Sequence, residues 1–176
     1  MGIWLRERMV ELGDICVNYN ETEPAGNVIP GSLEYYTSAT GIVRMAKRKL
    51  NCHNGETVLV SEEVTAKAVF DAAKSGDVVA IEVAEEFGCY LGHTLENLVA
   101  VLEPEIFIIG GGVSKAGEIL LDYIYKYYHA KVPLTLAKLG NDAGMYGAVR
   151  LGEEINQSGF YDKYKEQKCL CKENEK

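Results

Sequence analysis

Long apolar runs are absent from this sequence of 176 residues. No stretch approaches the roughly 18 apolar residues that a membrane-spanning helix requires, and the first residues lack the basic, apolar and small-residue segments of a signal peptide. Hydrophobic residues make up 47% and charged residues 25% of the chain, which is the balance of a globular protein with a buried core. The sequence therefore predicts one domain, located in the cytoplasm and without a membrane partner.

Basic residues and cysteines are also few. Lys and Arg number 18 against 26 Asp and Glu, which gives a net charge of −8, whereas binding to a nucleic-acid backbone requires clustered positive charge. The one basic run, residues 44–49, is interpreted as the exposed face of a helix. The five cysteines are odd in number and irregularly spaced, so the sequence predicts neither a disulfide framework nor a nucleic-acid partner.

The first 31 residues have the composition of short strands and loops. Residues 2–5 and 15–19 are rich in strand-forming residues. Residues 20–31 combine prolines, glycines and asparagines, which is typical of an irregular surface loop.

From Ser32 onward the apolar spacing becomes helical. It predicts one or two helices over residues 33–50, with Ser38 as the cap of the second, and another helix around residues 66–73. Asp77 is expected to cap the long helix that follows. The apolar stripe of that helix consists of Val79, Val83, Phe87, Tyr90, Leu91, Leu95, Leu98, Val99 and Leu102.

Gly88 and Gly92 lie four residues apart inside this long helix. Each costs about 1 kcal/mol relative to Ala in a helix interior. We therefore expect another backbone to approach the helix closely at these two positions.

The last third of the chain has an α/β pattern. Residues 106–109 are predicted to form a strand that is buried on both faces, as in a parallel sheet, followed by a helix over residues 117–129 and a strand at 134–138. A glycine turn at 140–144 precedes a final helix, and a charged tail occupies 156–176. The overall prediction is an α/β fold with long helices packed on a small mixed sheet.

Gly110, Gly111 and Gly112 give the strongest local signal for chemistry. A strand, a glycine turn and a helix in that order place N–H groups and a partial positive charge where a nucleotide binds. A tight turn that requires positive φ would produce the same sequence, and the spacing leaves both interpretations open. The next glycine is Gly117, which does not fit the dinucleotide-binding fingerprint, and no Walker phosphate loop occurs.

Other polar residues give weaker signals. Asn141 or Asp142 would cap the final helix, and a buried Asp142 would alternatively act as a general base. Glu11 and Glu34 are candidates for hydrogen bonds to sugar hydroxyls, although by composition they are two acidic residues among 26. The histidines and cysteines do not have the spacing of metal ligands.

Five blocks of sequence, found in one order, carry a more specific signal. They are residues 34–50, which include Ser38-Ala39-Thr40-Gly41-Ile42-Val43-Arg44; residues 65–77; Tyr90-Leu91-Gly92 with Asn97-Leu98-Val99; Pro104-Glu105 with Ile109-Gly110-Gly111-Gly112-Val113-Ser114; and residues 139–144 with Gly147-Ala148. In that order they resemble the carboxyl-terminal half of ROK (repressor, open reading frame, kinase) sugar kinases of the glucokinase type. The resemblance covers about residues 1–155.

This resemblance implies the second lobe of an actin-like, ribonuclease-H-like ATPase fold over residues 1–155, with residues 156–176 as a tail. Within the lobe, residues 1–31 would contain strands and a loop, residues 32–103 the helices, and residues 104–155 the nucleotide side.

The resemblance also implies ligands and partners. Glu11 and Glu34 would contact hydroxyls of a glucose-like hexose, and the triple glycine at 110–112 would lie beside the ATP that the family uses with Mg²⁺. The expected assembly is a homodimer or an association with a separate amino-terminal lobe. Aromatic contact surface for a dimer would come from Tyr123, Tyr125, Tyr127 and Tyr128.

Three features of the family have no counterpart in the chain. The phosphate-binding Asp-x-Gly-Gly-Thr segment and the catalytic Asp are missing, so we expect this chain to be inactive alone. The zinc ligands of the family, one His and three Cys, are replaced by Asp14, Ala25, Asn27 and Ser32, so zinc is not expected. A non-catalytic sugar-binding or dimerisation module, and the effector domain of a ROK repressor, are the alternatives.

Overall fold

The computed structural model describes residues 2–5, 8–138 and 143–157, which fall into two compact units divided between Lys138 and Leu139. The elements of the first unit are β1 (Gly2–Leu5), β2 (Arg8–Glu11), α1 (Leu33–Thr37), α2 (Ala39–Cys52), α3 (Ala66–Lys74), α4 (Val78–Leu102), β3 (Phe107–Ile109), α5 (Glu118–Tyr125) and β4 (Leu134–Leu136), with short 3₁₀ helices at Leu12–Asp14 and Gly112–Ala116. The second unit contains α6 (Ala143–Gln157).

Two predicted segments lie outside the described residues. They are the capping residues Asn141 and Asp142, and the charged tail beyond Gln157. In the part of the chain that is described, no helix combines the length and hydropathy needed to cross a bilayer.

The amino-terminal segment contains one hairpin instead of the expected series of strands. β1 and β2 pair antiparallel, with Gly2 opposite Glu11. The strand predicted at residues 15–19 is wrong, because Cys16 forms only an isolated bridge to Ser32. The N–H groups of Val17 and Asn18 both donate to the carbonyl of Gly31, so the chain turns away before a ladder can form.

The predicted helix boundaries in the middle of the chain are confirmed by their caps. The Ser38 hydroxyl accepts a hydrogen bond from the Gly41 N–H at the start of α2. The Asp77 carboxylate accepts one from the Ala80 N–H, at 2.9 Å, at the start of α4. These short polar side chains satisfy N–H groups that have no partner within their own helix.

The 25-residue helix α4 is the centre of the first unit. It contacts α1, α2, α3 and α5, and its stripe is buried as predicted at Val79, Val83, Phe87, Leu91, Leu95 and Leu98. Tyr90, Val99 and Leu102 are half-buried at its edges.

The close backbone approach predicted at Gly88 and Gly92 is confirmed, and the neighbour is α5 with the turn that follows it. A Cβ atom on Gly88 would lie 2.4 Å from the carbonyl oxygen of Tyr123, and one on Gly92 would lie 2.9 Å from that of Ile124. Only glycine leaves room for α5 at this distance.

The strand after α4 differs from its prediction. β3 pairs in parallel with β4, Ile108 opposite Thr135, but Ile108 is 64% exposed rather than buried on both faces. Within the described residues β4 is the only strand beside β3. Ile108 therefore lines an open cavity instead of a core.

α5 ends at Tyr125, earlier than the predicted residue 129. Beyond it, the N–H groups of His129 and Ala130 donate to the Glu96 carboxylate on α4, which directs the chain away from the helix axis. The expected aromatic surface is largely internal: Tyr123 and Tyr128 are buried, and Tyr125 is exposed.

Replacing Gly88 with Ala is expected to destabilise the first unit by about 1–3 kcal/mol, because the new methyl group would overlap the α5 backbone. Helix propensity alone would make the Ala variant more stable by about 1 kcal/mol. A decrease in the free energy of unfolding therefore indicates the contact with α5. Urea unfolding measures it. Gly112→Ala is the control, because its Cβ would meet no atom within 4 Å. A Gly88→Ala variant as stable as the parent would contradict the packing described here.

Candidate functional site

A cavity of about 420 Å³ lies between the 3₁₀ turn after β2, the junction of α1 and α2, α4, and the loop after β3. Its polar rim is formed by Glu34, Thr37 and Ser38, and its apolar floor by Phe87 and Leu91 of α4. The opposite wall consists of Ile108, Ile109, Gly110, Gly112 and Val113. An apolar cavity with a few convergent polar groups is the usual form of a small-molecule site.

Two acidic residues that are distant in sequence meet at Gly13 beside this cavity. The Gly13 N–H donates to Glu11 Oε1 at 3.3 Å. A Cβ atom on Gly13 would lie 3.3 Å from both Glu11 Oε1 and Glu34 Oε2. The absence of a side chain at Gly13 thus gives both carboxylates room to face the same small volume.

Glu34 is held by the short helix α1. The Ser32 hydroxyl caps this helix by accepting from the Tyr35 N–H at 3.3 Å, and the Thr37 hydroxyl donates to the Leu33 carbonyl at 2.8 Å. Glu34 lies in the first turn, where the helix dipole favours a negative charge.

The triple glycine has three different local roles. Gly111 has φ +81° and so requires glycine for the turn, while a Cβ on Gly110 would lie 3.2 Å from the Ala137 Cβ. Gly112 borders open space and lines the cavity. The two interpretations of the triple glycine are therefore compatible. Gly111 is required by the turn, and Gly112 leaves open space for a ligand.

A five-residue 3₁₀ helix, Gly112–Ala116, follows the glycines, and α5 begins at Glu118, within one residue of its predicted start at residue 117. The amino terminus of α5 is therefore separated from the triple glycine along the chain.

The structure brings four of the five predicted site residues to one place. Glu34, Gly110 and Gly112 line the cavity, and Glu11 approaches it through Gly13. Gly111 shapes the turn between the two lining glycines. Their roles in binding remain predictions.

Sequence reasoning missed an ion-pair network next to this site. Arg48 Nη1 lies 2.7 Å from Glu21 Oε2 and Arg48 Nη2 lies 3.3 Å from Glu21 Oε1. Arg48 Nη2 also donates to the Tyr35 hydroxyl at 2.7 Å and pairs with Glu23. The interpretation of residues 44–49 as an exposed face is therefore wrong for Arg48, whose carboxylate partners Glu21 and Glu23 lie in a loop that no periodic pattern describes.

Glu21 is strongly affected by this environment. Hydrogen bonds from Arg48 lower the pKa of the Glu21 carboxyl to about 2, against the opposing effect of its burial. The Tyr36 hydroxyl also donates to Glu21 Oε2, at 3.1 Å, and burial raises the pKa of Tyr36 above its usual value. Glu21 is thus ionised and Tyr36 protonated over the whole physiological range.

The four positions that the family resemblance aligns with zinc ligands do not fit a zinc ion. Ala25 has no donor atom, and the buried Ser32 hydroxyl is used as the cap of α1. Asp14 is exposed, and a tetrahedral structural site requires thiolate or imidazole ligands. Among the described residues no group of three or more His, Cys, Asp or Glu side chains is arranged to hold a metal ion.

Glu21→Gln is expected to change how stability depends on pH. A carboxyl whose folded pKa is depressed stabilises the fold above its unfolded pKa, and this contribution is lost as the pH falls through the folded pKa. The stability difference between the parent and Glu21→Gln should therefore be full above about pH 5 and shrink between pH 4.5 and 2. Urea unfolding at several pH values measures it, and Arg48→Met should reduce the same pH dependence. A difference that stays constant down to pH 2 would contradict the assignment.

The comparisons with known proteins agree on one family. The profile of the ROK family matches residues 9–155. The chain is 37% identical over 149 residues to a glucokinase of Halalkalibacterium halodurans, which covers 78% of this chain and 45% of that protein. It is 30% identical over 117 residues to the DNA-binding transcriptional repressor Mlc of Escherichia coli, covering 66% of this chain and 28% of the repressor.

A solved structure shows the same relation in three dimensions. The ROK family glucokinase of Streptomyces griseus, in complex with glucose and AMPPNP, superposes with a TM-score of 0.70 at 29% identity, covering 85% of this chain and 55% of that one. This similarity confirms the predicted actin-like α/β fold class. The chain spans about half the length of the glucokinases it matches. Since the family profile covers most of its length and its relatives include glucokinases, the chain belongs to the ROK family.

Proposed function

We propose that this chain is the carboxyl-terminal half of a glucose-type ROK sugar kinase and supplies parts of both its sugar site and its nucleotide site. The observation that carries this proposal is that Glu34, Gly110 and Gly112 line a single cavity. It is supported by the similarity to a glucokinase that binds glucose and AMPPNP. One cavity then provides a polar rim for the hexose and an open glycine turn for the nucleotide.

The sugar would bind at the carboxylate side of the cavity. Ionised carboxylates accept two hydrogen bonds from neighbouring hydroxyls, and charge-assisted hydrogen bonds are stronger than neutral ones. Glu11 and Glu34 face the same volume at Gly13, and the hydroxyls of Thr37 and Ser38 belong to its rim. The apolar floor would pack against the C–H groups of the ring.

The nucleotide would bind at the triple glycine. Gly112 has open space where a side chain would be, which allows an ATP molecule to approach the backbone closely. Mg²⁺ would arrive with the phosphates, because this ion usually keeps several waters and binds substrate phosphate oxygens together with few protein ligands.

Phosphoryl transfer is not expected from the chain alone. The reaction requires a base for the attacking hydroxyl and a loop that positions the γ-phosphate. Neither family segment has a counterpart in these 176 residues. A separate amino-terminal lobe would complete the site in a heteromeric complex. The alternative assembly is a homodimer of this chain in the cytoplasm.

A second candidate is a sugar-binding module without catalysis. The similarity to the DNA-binding transcriptional repressor Mlc favours it, since a repressor does not have to transfer a phosphoryl group. The net charge of −8 speaks against direct contact of this segment with DNA.

Glu34→Gln is expected to weaken glucose binding by about ten- to hundredfold, because a charged hydrogen-bond acceptor is replaced by a neutral amide. Isothermal titration of the purified chain with D-glucose measures the affinity. Glu62→Gln, an exposed carboxylate outside the cavity, is the matched control and should bind as the parent does. Unchanged affinity in Glu34→Gln would exclude Glu34 as a sugar ligand, and no heat from the parent would contradict the sugar site.

The chain is expected to bind AMPPNP with Mg²⁺ but to turn over no ATP with glucose. Gly112→Val should weaken AMPPNP binding at least about tenfold by filling the open space at the turn, while glucose binding stays the same. Titration with AMPPNP and a coupled assay of ADP release measure the two properties.

Gly112→Ala is the size control in this series and should have an intermediate effect on AMPPNP binding. Glucose-dependent release of ADP by the purified chain would overturn the expected inactivity. Full AMPPNP affinity in Gly112→Val would remove the triple glycine from the nucleotide site.

A further inference from the structure

Residues 15–32 form a loop that is closed at its base by backbone hydrogen bonds. The Leu33 N–H donates to the Ile15 carbonyl at 2.7 Å, and the Val17 N–H donates to the Gly31 carbonyl at 2.8 Å. A Cβ atom on Gly31 would lie 2.1 Å from the Asn18 carbonyl oxygen, so the base closes tightly only with glycine. The loop therefore leads directly into α1.

Arg48 of α2 contacts the body of the loop. The Arg48 guanidinium holds both oxygens of Glu21, and it also contacts Glu23 and the Tyr35 hydroxyl. The Glu21 side chain is only 11% exposed, and that of Arg48 is 35% exposed. A bidentate guanidinium–carboxylate pair fixes direction as well as distance, which an exposed lysine pair would not do.

A second set of contacts joins the loop to α1 and α4. Asn18 Nδ2 donates to the Tyr36 hydroxyl at 2.8 Å, and Tyr36 in turn donates to Glu21. The Tyr36 ring stacks on Tyr90 of α4 with 3.9 Å between ring centroids. The two tyrosines that follow Glu34 are therefore both bonded to the Glu21–Arg48 pair.

The helix that carries Glu34 needs such support. α1 has five residues, and helices much shorter than about 12 residues are not stable by themselves. Its orientation must come from tertiary contacts of Leu33, Tyr35 and Tyr36, all of which are buried. The positions aligned with zinc ligands do not fit a metal. The backbone hydrogen bonds at the base and the side-chain contacts of Glu21, Asn18 and Tyr36 hold this loop.

We propose that Glu21 and Arg48 are positioning residues: their ion pair locks the loop 15–32 onto α1 and α2 and so fixes the direction of the Glu34 carboxylate into the cavity. That Glu34 contacts a sugar rests on the proposed function. The locking of α1 by the pair does not depend on any ligand.

Hydrogen exchange of the purified full chain tests the locking directly. In Glu21→Gln, protection of the amides of residues 17–18 and 33–37 should fall by about tenfold or more, while that of α3 and α5 stays the same. Arg48→Lys keeps the positive charge but loses the two-pronged guanidinium contact with the carboxylate. It should lose amide protection at the same residues, and it is the second test if Glu21→Gln does not fold.

Two control variants distinguish loss of the Glu21–Arg48 pair from loss of any ion pair on α2 and from a general loss of stability. Lys49→Gln removes the neighbouring ion pairs of α2 with Glu82 and Glu86 on α4 and should leave the loop protected. Gly88→Ala lowers the free energy of unfolding through its contact with α5. It shows what a loss of stability away from the loop does, for comparison with Glu21→Gln and Arg48→Lys.

Glucose titration of the same variants tests the consequence for the cavity. Glu21→Gln and Arg48→Lys should lose about tenfold in glucose affinity, whereas Lys49→Gln and Gly88→Ala should retain it. Affinity that falls equally in Gly88→Ala would show a general stability effect and overturn the positioning role. Unchanged exchange in residues 17–18 and 33–37 of Glu21→Gln would overturn the locking itself. A parent chain that binds no glucose but loses loop protection in Glu21→Gln would refute the sugar site and leave the locking supported.

Discussion

The candidate site depends on the packing of one helix, α4. Adjacent residues of this helix contact the cavity, α5 and α1. Phe87 and Leu91 form the floor of the cavity, and Gly88 and Gly92, each one residue later, admit α5. Tyr90 stacks against α1. Because successive residues on a helix point about 100° apart, α4 contacts the cavity, α5 and α1 from different sides. The close packing of protein interiors holds these neighbours in place around it.

Carboxylates in this acidic chain occupy two different environments. Glu21 is paired with Arg48 and is nearly buried. Glu11 and Glu34 instead approach Gly13 beside the cavity. A buried, paired carboxylate is suited to holding structure, because breaking the pair leaves an uncompensated charge. Glu34, by contrast, lines the cavity, where a carboxylate is accessible to a small molecule as a hydrogen-bond acceptor.

Local signals in the sequence predicted the features that depend on local physics. Ser38 and Asp77 cap helices as expected, since an N-cap satisfies N–H groups two or three residues away. Gly88 and Gly92 indicated a close neighbour, although they did not identify α5. The burial of Ile108 was predicted wrongly, because an apolar run shows that a strand is apolar but not which of its faces is covered.

The resemblance in ordered blocks located the family and named Glu11, Glu34 and the triple glycine, but the contacts between them required the fold. The sequence does not show that Gly13 lets two carboxylates meet, because Glu11 and Glu34 are separated by a loop whose closure follows no periodic pattern.

By itself the sequence determined the α/β class, the helix starts and the membership in a family, since these follow from short-range hydrogen bonding, apolar periodicity and ordered motifs. Only the tertiary structure decided that Arg48 pairs with Glu21, 27 residues away, and that this pair lies against the tyrosines beside Glu34. Such pairing depends on where packing places two side chains, and a helix of five residues acquires its direction from those contacts rather than from its own sequence.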